Sequence, residues 1–210
     1  MAKVVVYGIT GFTGGNIARE AIARGHQVTG VARNVDDFSL PGATTVTGDI
    51  GDLAHFKATI AGSDVVVLAL RHSSPRIVDL IIPLAKATEE AGTRLAVVGG
   101  AGSLYVSQGG PRLIDTPEFP DAYKVEAGAA LETLLALEAN NVGKWFYVSP
   151  AGLYGSFAPG TRTGHYRLGG DVLVTDAEGK SVIGGEDFAI AFVDEIEKNA
   201  HPNQRFTVGY

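Results

Sequence analysis

The stretch that decides the fold runs from residue 3 to residue 15 and reads KVVVYGITGFTGG. Its β-branched first part is typical of a buried strand, and the glycines after it are typical of a tight turn into a helix. Gly8 permits the turn, Gly11 lets a ligand approach the backbone, and Gly14 lets the helix pack closely on the strand. A strand, a glycine-rich turn and a helix in this order predict a binding site for the pyrophosphate of a dinucleotide.

The rest of the chain alternates short β-branched runs with longer stretches of helical period, which predicts βαβ units around a buried parallel sheet. We therefore predict an α/β Rossmann fold, a doubly wound parallel sheet, as a single domain over residues 1–210. A small C-terminal α/β extension, residues 150–210, is expected to complete the substrate side of the cleft. The predicted strands are 3–7, 27–32, 44–47, 64–70, 94–98 and 145–148, the predicted helices are 14–24, 53–60, 75–91, 121–140 and 186–198, and strand-like pieces lie at 171–175 and 181–183.

The composition excludes several classes of protein. The 210 residues contain no cysteine, which excludes disulfides, iron–sulfur clusters and a catalytic thiol. A net charge of −6 leaves no basic surface for nucleic acid. The strongest apolar run, residues 65–70, is far below the roughly 18 residues needed to cross a bilayer, and no signal-peptide pattern is present. We expect a cytoplasmic protein with no nucleic-acid partner, no membrane partner and, because no HExxH-like spacing occurs, no metal site.

Residues after the second and third predicted strands indicate how the adenosine half would be bound. Arg33 stands where such sites usually offer an acid to the ribose, and a guanidinium pairs well with a 2′-phosphate. We therefore expect NADP, with NAD possible, unless Asp36 and Asp37 neutralise Arg33. Asp49 is expected to accept a hydrogen bond from the adenine amino group while Ile50 lies against the ring, although Asp49 can equally cap the following helix.

The ends of the next three predicted strands should converge on one edge of the sheet, where small residues leave room for a nicotinamide ring. There the candidate catalytic residues are Ser103 and Tyr123, whereas His72 is more simply interpreted as a surface histidine. The residues predicted to bind the cofactor are Gly8, Thr10, Gly11, Phe12, Thr13, Gly14, Arg33, Asp49, Ile50, Leu70, Arg71, Gly99, Gly100 and Pro150.

No Tyr-x-x-x-Lys pair is present, in which a lysine lowers the pKa of a tyrosine that protonates an alkoxide. Tyr123 and Lys124 are adjacent, so on a helix they point about 100° apart. Ordinary alcohol or ketone chemistry is therefore disfavoured.

With these motifs the chain resembles atypical short-chain dehydrogenase/reductase proteins with an NAD(P)H-binding domain, in the branch described as NADH-flavin reductases. The likeness runs nearly from end to end, and its most specific segments are Gly-Gly-Ala-Gly-Ser-Leu at residues 99–104 and Arg-Thr-Gly-His-Tyr-Arg at residues 162–167. Two departures affect the expected substrate pocket. Gly184-Gly185 replace a serine and an aromatic residue, and the stretch 71–76 is short.

The resemblance implies an NAD(P)H-dependent oxidoreductase that passes hydride to a small-molecule acceptor, either a flavin such as FMN or FAD or a quinone-like compound. A flavin ring spreads the charge of the added hydride and needs no dedicated tyrosine acid. In this interpretation the loop 155–170, with Arg162, His165, Tyr166 and Arg167, closes over the substrate; otherwise it is a surface loop packed by Tyr166.

Two other functions and two oligomeric states stay open. A non-catalytic NAD(P)-binding redox sensor also fits a phosphate site without an acid pair, while a sugar-nucleotide epimerase is disfavoured because the chain lacks the tyrosine acid and a substrate domain. The apolar helix around residues 77–82 packs on the sheet or forms a dimer, so the protein is a monomer or a homodimer.

Overall fold

The computed structural model describes residues 1–210 and contains one eight-stranded sheet with helices on both faces. The strands are β1 (Lys3–Tyr7), β2 (Gln27–Ala32), β3 (Ala43–Thr47), β4 (Val65–Leu68), β5 (Arg94–Val98), β6 (Trp145–Ser149), β7 (Arg167–Gly169) and β8 (Gln204–Gly209). The helices are α1 (Phe12–Ala23), α2 (Leu53–Ile60), α3 (Ile77–Ala91), α4 (Asp121–Ala139) and α5 (Gly185–Lys198).

The spatial order of the strands is β3-β2-β1-β4-β5-β6-β8-β7, and every neighbouring pair is parallel except β7 with β8. The chain order reverses at β1, which lies between β2 and β4. Ligands of open α/β sheets bind at such a switch point, outside the carboxyl ends of the strands. The predicted doubly wound Rossmann fold is confirmed, and its crevice lies beyond Tyr7 and Leu68.

Both faces of the sheet are buried at its central strands, which is why β1 is a continuous apolar run rather than an alternating one. Val4 and Val6 pack into the core that α1 and α5 cover. Val5 and Tyr7 pack into the opposite core, beneath α2, α3 and α4. The turn after β1 is therefore anchored on two sides before it reaches the crevice.

The C-terminal strands are not where the sequence predicted them. Segments 171–175 and 181–183 form only isolated bridges, Val172 with Tyr105 and Val182 with Leu153. The true strand β8 lies in register beside β6, and the hydroxyl of Thr207 donates to the Ser149 carbonyl at 2.9 Å. The alternation of polar and apolar residues in QRFTVG is typical of a strand and could have predicted β8. Its partner β6, however, lies about sixty residues upstream, so no local pattern indicates the pairing.

An ion-pair cluster ties the outer face of α5 to α1. The Asp194 carboxylate accepts hydrogen bonds from Arg24 at 2.6 Å, from the Tyr166 hydroxyl at 2.6 Å and from Lys198 at 2.5 Å. Burial raises the pKa of Asp194, but these hydrogen bonds outweigh it and bring the pKa down to about 2. The folded state therefore holds Asp194 ionised more strongly than the unfolded chain does.

This cluster predicts a specific acid sensitivity. A carboxyl group whose pKa falls on folding stabilises the protein at pH values above its pKa in the unfolded chain, 3.8. That stabilisation is lost as the pH falls toward the folded-state pKa of about 2. We expect Asp194→Asn to lower the denaturation midpoint at neutral pH and to flatten its fall in acid, measured by urea unfolding across pH. Asp37→Asn, which removes an exposed carboxylate, should keep the wild-type profile. A wild-type profile in Asp194→Asn would contradict this role.

Candidate functional site

The turn between β1 and α1 is shaped by two glycines that tolerate no side chain. Gly8 has a φ of +88°, and a Cβ there would lie 2.2 Å from the Ala69 carbonyl oxygen. A Cβ on Gly14 would lie 2.2 Å from the Gly8 carbonyl oxygen. The first turn of α1 is thus pressed against the end of β1, as the glycine spacing predicted.

This contact leaves the start of α1 open to an anion. No side chain caps the helix, and its first turn contains no acidic residue. The backbone amides of Phe12, Thr13 and Gly14 donate no hydrogen bond within the chain. Free amides at the positive end of a helix dipole fit a pyrophosphate, so the residues present suit a dinucleotide.

A cleft of about 510 Å³ continues from this turn along the carboxyl edge of the sheet toward α4. It is mostly apolar, and its charged or titratable lining residues are Arg71, His72, Tyr123, Glu126 and Tyr154. The predicted site residues that line it are Gly11, Phe12, Thr13, Leu70, Arg71, Gly99, Gly100, Pro150 and Tyr123.

Other predicted cofactor residues lie outside this cleft. Gly8, Thr10 and Gly14 form the turn without lining the cleft. Arg33 follows β2, on the far side of β1, is exposed and forms no hydrogen bond or ion pair. Asp36 and Asp37 therefore do not neutralise it, and its guanidinium remains available to a ligand.

The residues after β3 divide between a turn and the core. The Asp49 carboxylate accepts a hydrogen bond from the Gly51 amide at 2.7 Å. The residue that caps α2 is Asp52, which accepts from the His55 amide at 2.9 Å, so the capping alternative for Asp49 is wrong. Ile50 is buried among core side chains. A role for Asp49 and Ile50 at the adenine stays a prediction.

The structure does not bring Ser103 into the cleft. Ser103 is buried in a 3₁₀ turn, where its hydroxyl donates to the Gly100 carbonyl at 3.3 Å and accepts from Arg205 at 3.2 Å. This geometry corrects the expectation of a catalytic hydroxyl, because Ser103 is occupied in joining the end of β5 to β8. Tyr123 does line the cleft, but Lys124 pairs with Asp121 at 2.7 Å instead of supporting it.

His72 is buried, so its interpretation as a surface residue is wrong. Its Nε2 lies 2.8 Å from the Val98 carbonyl oxygen, and its Nδ1 lies 3.0 Å from the Thr133 hydroxyl. Burial lowers the pKa of His72 despite this carbonyl and the nearby Glu126. A neutral ring donates from Nε2 to Val98, because a carbonyl oxygen can only accept, and this contact fixes the tautomer. The Thr133 hydroxyl beside Nδ1 has one proton and also contacts the Ala129 carbonyl oxygen at 2.9 Å.

Glu126 is the site residue that the sequence analysis missed. Its carboxylate accepts from the His72 amide at 2.6 Å, from the Ser73 amide at 3.1 Å and from the Ser73 hydroxyl at 2.5 Å. Burial raises its pKa, but these hydrogen bonds outweigh that effect and hold the pKa below its usual value. The available signal was its spacing, since it lies three residues after Tyr123 and four before Ala130 on the cleft face of α4.

The loop 155–170 is divided between the cleft and the outer surface. Its start, with Phe157, lines the cleft. The rest turns outward, where Arg162 pairs with Glu20 at 2.7 Å and the Tyr166 hydroxyl donates to Asp194 at 2.6 Å. The expectation that Arg162, Tyr166 and Arg167 close over a substrate is therefore wrong, because the first two have partners on α1 and α5 and Arg167 donates to the Thr175 and Tyr210 carbonyls. A role for His165 stays a prediction.

The Gly184-Gly185 departure affects the cleft through α1. A Cβ on Gly185 would lie 2.4 Å from the Phe12 ring and 2.5 Å from the Asn16 amide nitrogen. The glycine therefore makes room for Phe12, whose ring lines the cleft 5.8 Å from that of Tyr154. The Tyr154 hydroxyl in turn lies 2.8 Å from that of Thr13, which joins this wall to the phosphate turn.

Two features are absent from the molecule. No helix is both long enough and apolar enough to cross a membrane. No group of three histidine or acidic side chains lies close enough together to hold a metal ion.

Comparisons with known proteins agree with this geometry. A family model described as NAD(P)H-binding matches residues 8–194. The uncharacterised protein YwnB of Bacillus subtilis (strain 168) is 36% identical over 213 residues, which cover 98% of this chain and 97% of YwnB.

Solved structures are similar over the whole chain. A protein from Burkholderia pseudomallei, provisionally named an exported protein, is 40% identical with a TM-score of 0.86, covering 100% of both chains. A protein from Streptococcus pneumoniae TIGR4, provisionally named an NADH-flavin reductase, is 33% identical with a TM-score of 0.86, covering 100% of this chain and 99% of that one. A protein from Bacteroides thetaiotaomicron, provisionally named an epimerase, is 33% identical with a TM-score of 0.89, covering 100% and 98%.

Proposed function

The chain belongs to the NAD(P)H-binding family with an atypical short-chain dehydrogenase/reductase-like Rossmann fold, and from this premise we propose that it is an NADPH-preferring reductase of a flavin or quinone-like small molecule. The family gives the nicotinamide cofactor, and together with the similar Streptococcus pneumoniae protein it supports the general class of NAD(P)H-dependent oxidoreductase. The acceptor and the preference for NADPH are our proposal.

The observation that carries the proposal is the construction of the cleft beyond the strand ends. Small residues, among them Gly99, Gly100 and Gly152, line the cleft, and so do the aromatic residues Phe119 and Phe157. When bound, the nicotinamide supplies a hydride, and a conjugated acceptor ring takes it up without a positioned acid. A mostly apolar lining suits such a ring, and close, ordered approach then dominates catalysis.

Tyr123 illustrates why other substrates fit less well. A carbonyl that becomes an alkoxide needs a proton donor with a lowered pKa. Tyr123 is 53% exposed, and the neighbouring Lys124 pairs with Asp121 instead of supporting it. The other lining tyrosine, Tyr154, has a raised pKa because of its burial, which outweighs its hydrogen bond to Thr13. Tyr154 is therefore not prepared as an acid, and Tyr123 lacks the support of Lys124.

The proposal is tested by steady-state oxidation of NADPH with FMN, riboflavin or menadione as acceptor. We expect one acceptor to be reduced for each NADPH consumed. Binding of NADPH in the micromolar range without turnover of any acceptor would contradict the reductase proposal and favour a non-catalytic redox sensor.

Arg33 is the proposed source of the preference for NADPH over NADH. Because this guanidinium is exposed and has no partner in the chain, it is available to the 2′-phosphate. A charge-assisted contact of about 1.5 to 3 kcal/mol corresponds to a preference of roughly 10- to 150-fold. We expect Arg33→Ala to remove this preference, measured by calorimetry with NADP⁺ and NAD⁺. Lys86→Ala, which removes an exposed cation on α3, should leave the ratio unchanged. An unchanged ratio in Arg33→Ala would exclude Arg33 as its source.

A further inference from the structure

We propose that Glu126 selects the acceptor, because its carboxylate accepts a hydrogen bond from an N–H group of the ligand. The cleft would then favour a fused heterocycle with an imide N–H, of the isoalloxazine type, over a quinone. This inference rests on the proposed reductase function and narrows its substrate class.

The carboxylate of Glu126 is held in one place. Three donors reach it from the segment after β4, one on Oε1 (the His72 amide at 2.6 Å) and two on Oε2 (the Ser73 amide at 3.1 Å and the Ser73 hydroxyl at 2.5 Å). A carboxylate offers about four acceptor sites, so Oε1 retains one. Because Glu126 lines the cleft, a ligand in the cleft can reach the carboxylate that carries this remaining acceptor site.

The charge of Glu126 is not cancelled by the group behind it. His72 is buried, and burial lowers its pKa below the ordinary value of 6.5, so the imidazole contributes no positive charge at neutral pH. Glu126 is the one carboxylate among the cleft-lining residues, and Arg71 is the one guanidinium. Hydrogen bonds to an ionised acceptor are about twice as strong as those between neutral groups.

A carboxylate in a mostly apolar cleft discriminates between quinones and isoalloxazines as substrates. A quinone presents only carbonyl oxygens at its polar edge, and these become more negative on reduction, so contact with Glu126 is repulsive. An isoalloxazine ring presents an imide N–H between two carbonyls. That N–H matches the free site on Oε1, while the ring packs against the apolar lining beside it.

The placement of Glu126 supports this match. Tyr123, Ala127 and Ala130 lie on the same face of α4 and also line the cleft. Leu113 and Phe119, which precede the helix, line it as well. A flat ring seated on this surface has its edge next to the carboxylate.

The test compares lumiflavin with N3-methyl-lumiflavin, which lacks the imide N–H. Each is titrated into the NADP⁺-saturated protein and followed by quenching of flavin fluorescence, so the measurement is affinity and not turnover. We expect the wild type to bind lumiflavin at least about tenfold more tightly than the methylated ring. Glu126→Gln should bind the two within about twofold, because its neutral amide forms the weaker bond.

Glu138→Gln is the matched control, since Glu138 is exposed on the same helix and forms no hydrogen bond or ion pair. It should keep the wild-type selectivity. Equal affinities of the wild type for both flavins would overturn the inference, and so would equal losses on methylation in wild type and Glu126→Gln, which indicate a steric clash. An effect of Glu126→Gln confined to NADP⁺ affinity would assign the carboxylate to the coenzyme and overturn it as well.

The outcome is separable from that of the proposed function. If the wild type reduces menadione but neither binds nor reduces lumiflavin, the reductase proposal stands and the role of Glu126 is overturned. If the wild type shows the methylation effect but none of the tested electron acceptors supports oxidation of NADPH, the reductase proposal fails. Glu126 then remains the group that binds the imide N–H. Because the wild-type comparison needs no variant, poor folding of Glu126→Gln does not remove the test.

Discussion

Gly14→Ala is expected to weaken NADPH binding by at least about 100-fold and to lower the free energy of unfolding by about 2 to 3 kcal/mol. The added Cβ would lie 2.2 Å from the Gly8 carbonyl oxygen and 2.7 Å from its carbon, and these are backbone atoms that cannot rotate aside. The first turn of α1 must therefore move away from β1. Its free amides at Phe12 and Thr13 then lose their alignment with the pyrophosphate. Calorimetry and urea denaturation measure the two effects.

Gly128→Ala is the matched control for that substitution. Gly128 lies inside α4, where the nearest atom to an added Cβ is 4.0 Å away. Replacing a helical glycine in open space should raise stability by about 0.5 to 1 kcal/mol and leave NADPH affinity unchanged. If Gly14→Ala bound NADPH like the wild type, the pyrophosphate would not lie at the start of α1.

The phosphate turn could be predicted from the sequence because its determinants are local. The strand, the glycines and the helix all lie within residues 3–23. Gly8 and Gly14 contact each other across one turn, so their spacing in the chain nearly determines their geometry. The same locality explains why the β-branched runs before α3 and α4 were correctly placed as the strands β4 and β5.

The residues that were misjudged depend on partners far away in the chain. His72 is buried because of Val98 and Thr133, which lie 26 and 61 residues further on. Ser103 does not line the cleft, and its hydroxyl accepts a hydrogen bond from Arg205, at a separation of 102 residues. Neither partner is visible from local periodicity, since which side chains meet is decided only once the sheet has assembled.

The Arg162–Arg167 segment was misplaced for a related reason. A motif with two arginines, a histidine and a tyrosine resembles a ligand-binding loop in composition. Arg162 and Tyr166, however, bond acids of α1 and α5, Glu20 and Asp194, and Arg167 donates to backbone carbonyls. Composition shows which bonds a loop can form, whereas only the packing of the helices shows whether protein groups already fill them.

Asp187 anchors this segment to α5. Its carboxylate is fully buried at the start of α5 and accepts hydrogen bonds from the Thr163 amide at 2.9 Å, the Gly164 amide at 2.9 Å, the Thr163 hydroxyl at 2.7 Å and the Tyr210 hydroxyl at 2.7 Å. Burial raises the pKa of Asp187, but these bonds outweigh it and leave the pKa lowered. The ionised carboxylate thus bonds the loop at Thr163 and Gly164 and also bonds Tyr210, and it lies at the positive end of the α5 helix dipole.

Asp187→Ala is expected to lower the free energy of unfolding by about 3 kcal/mol or more, because it leaves several donors unpaired where each costs about 1 to 3 kcal/mol. Urea denaturation measures the loss, and NADPH affinity of the folded variant should change little, since Asp187 does not line the cleft. Glu186→Ala removes the neighbouring carboxylate, which forms no hydrogen bond, and should cost less than about 1 kcal/mol. Equal losses from the two variants would mean that the helix dipole alone accounts for Asp187. A large difference would show that the hydrogen bonds to Thr163, Gly164 and Tyr210 hold the loop on α5.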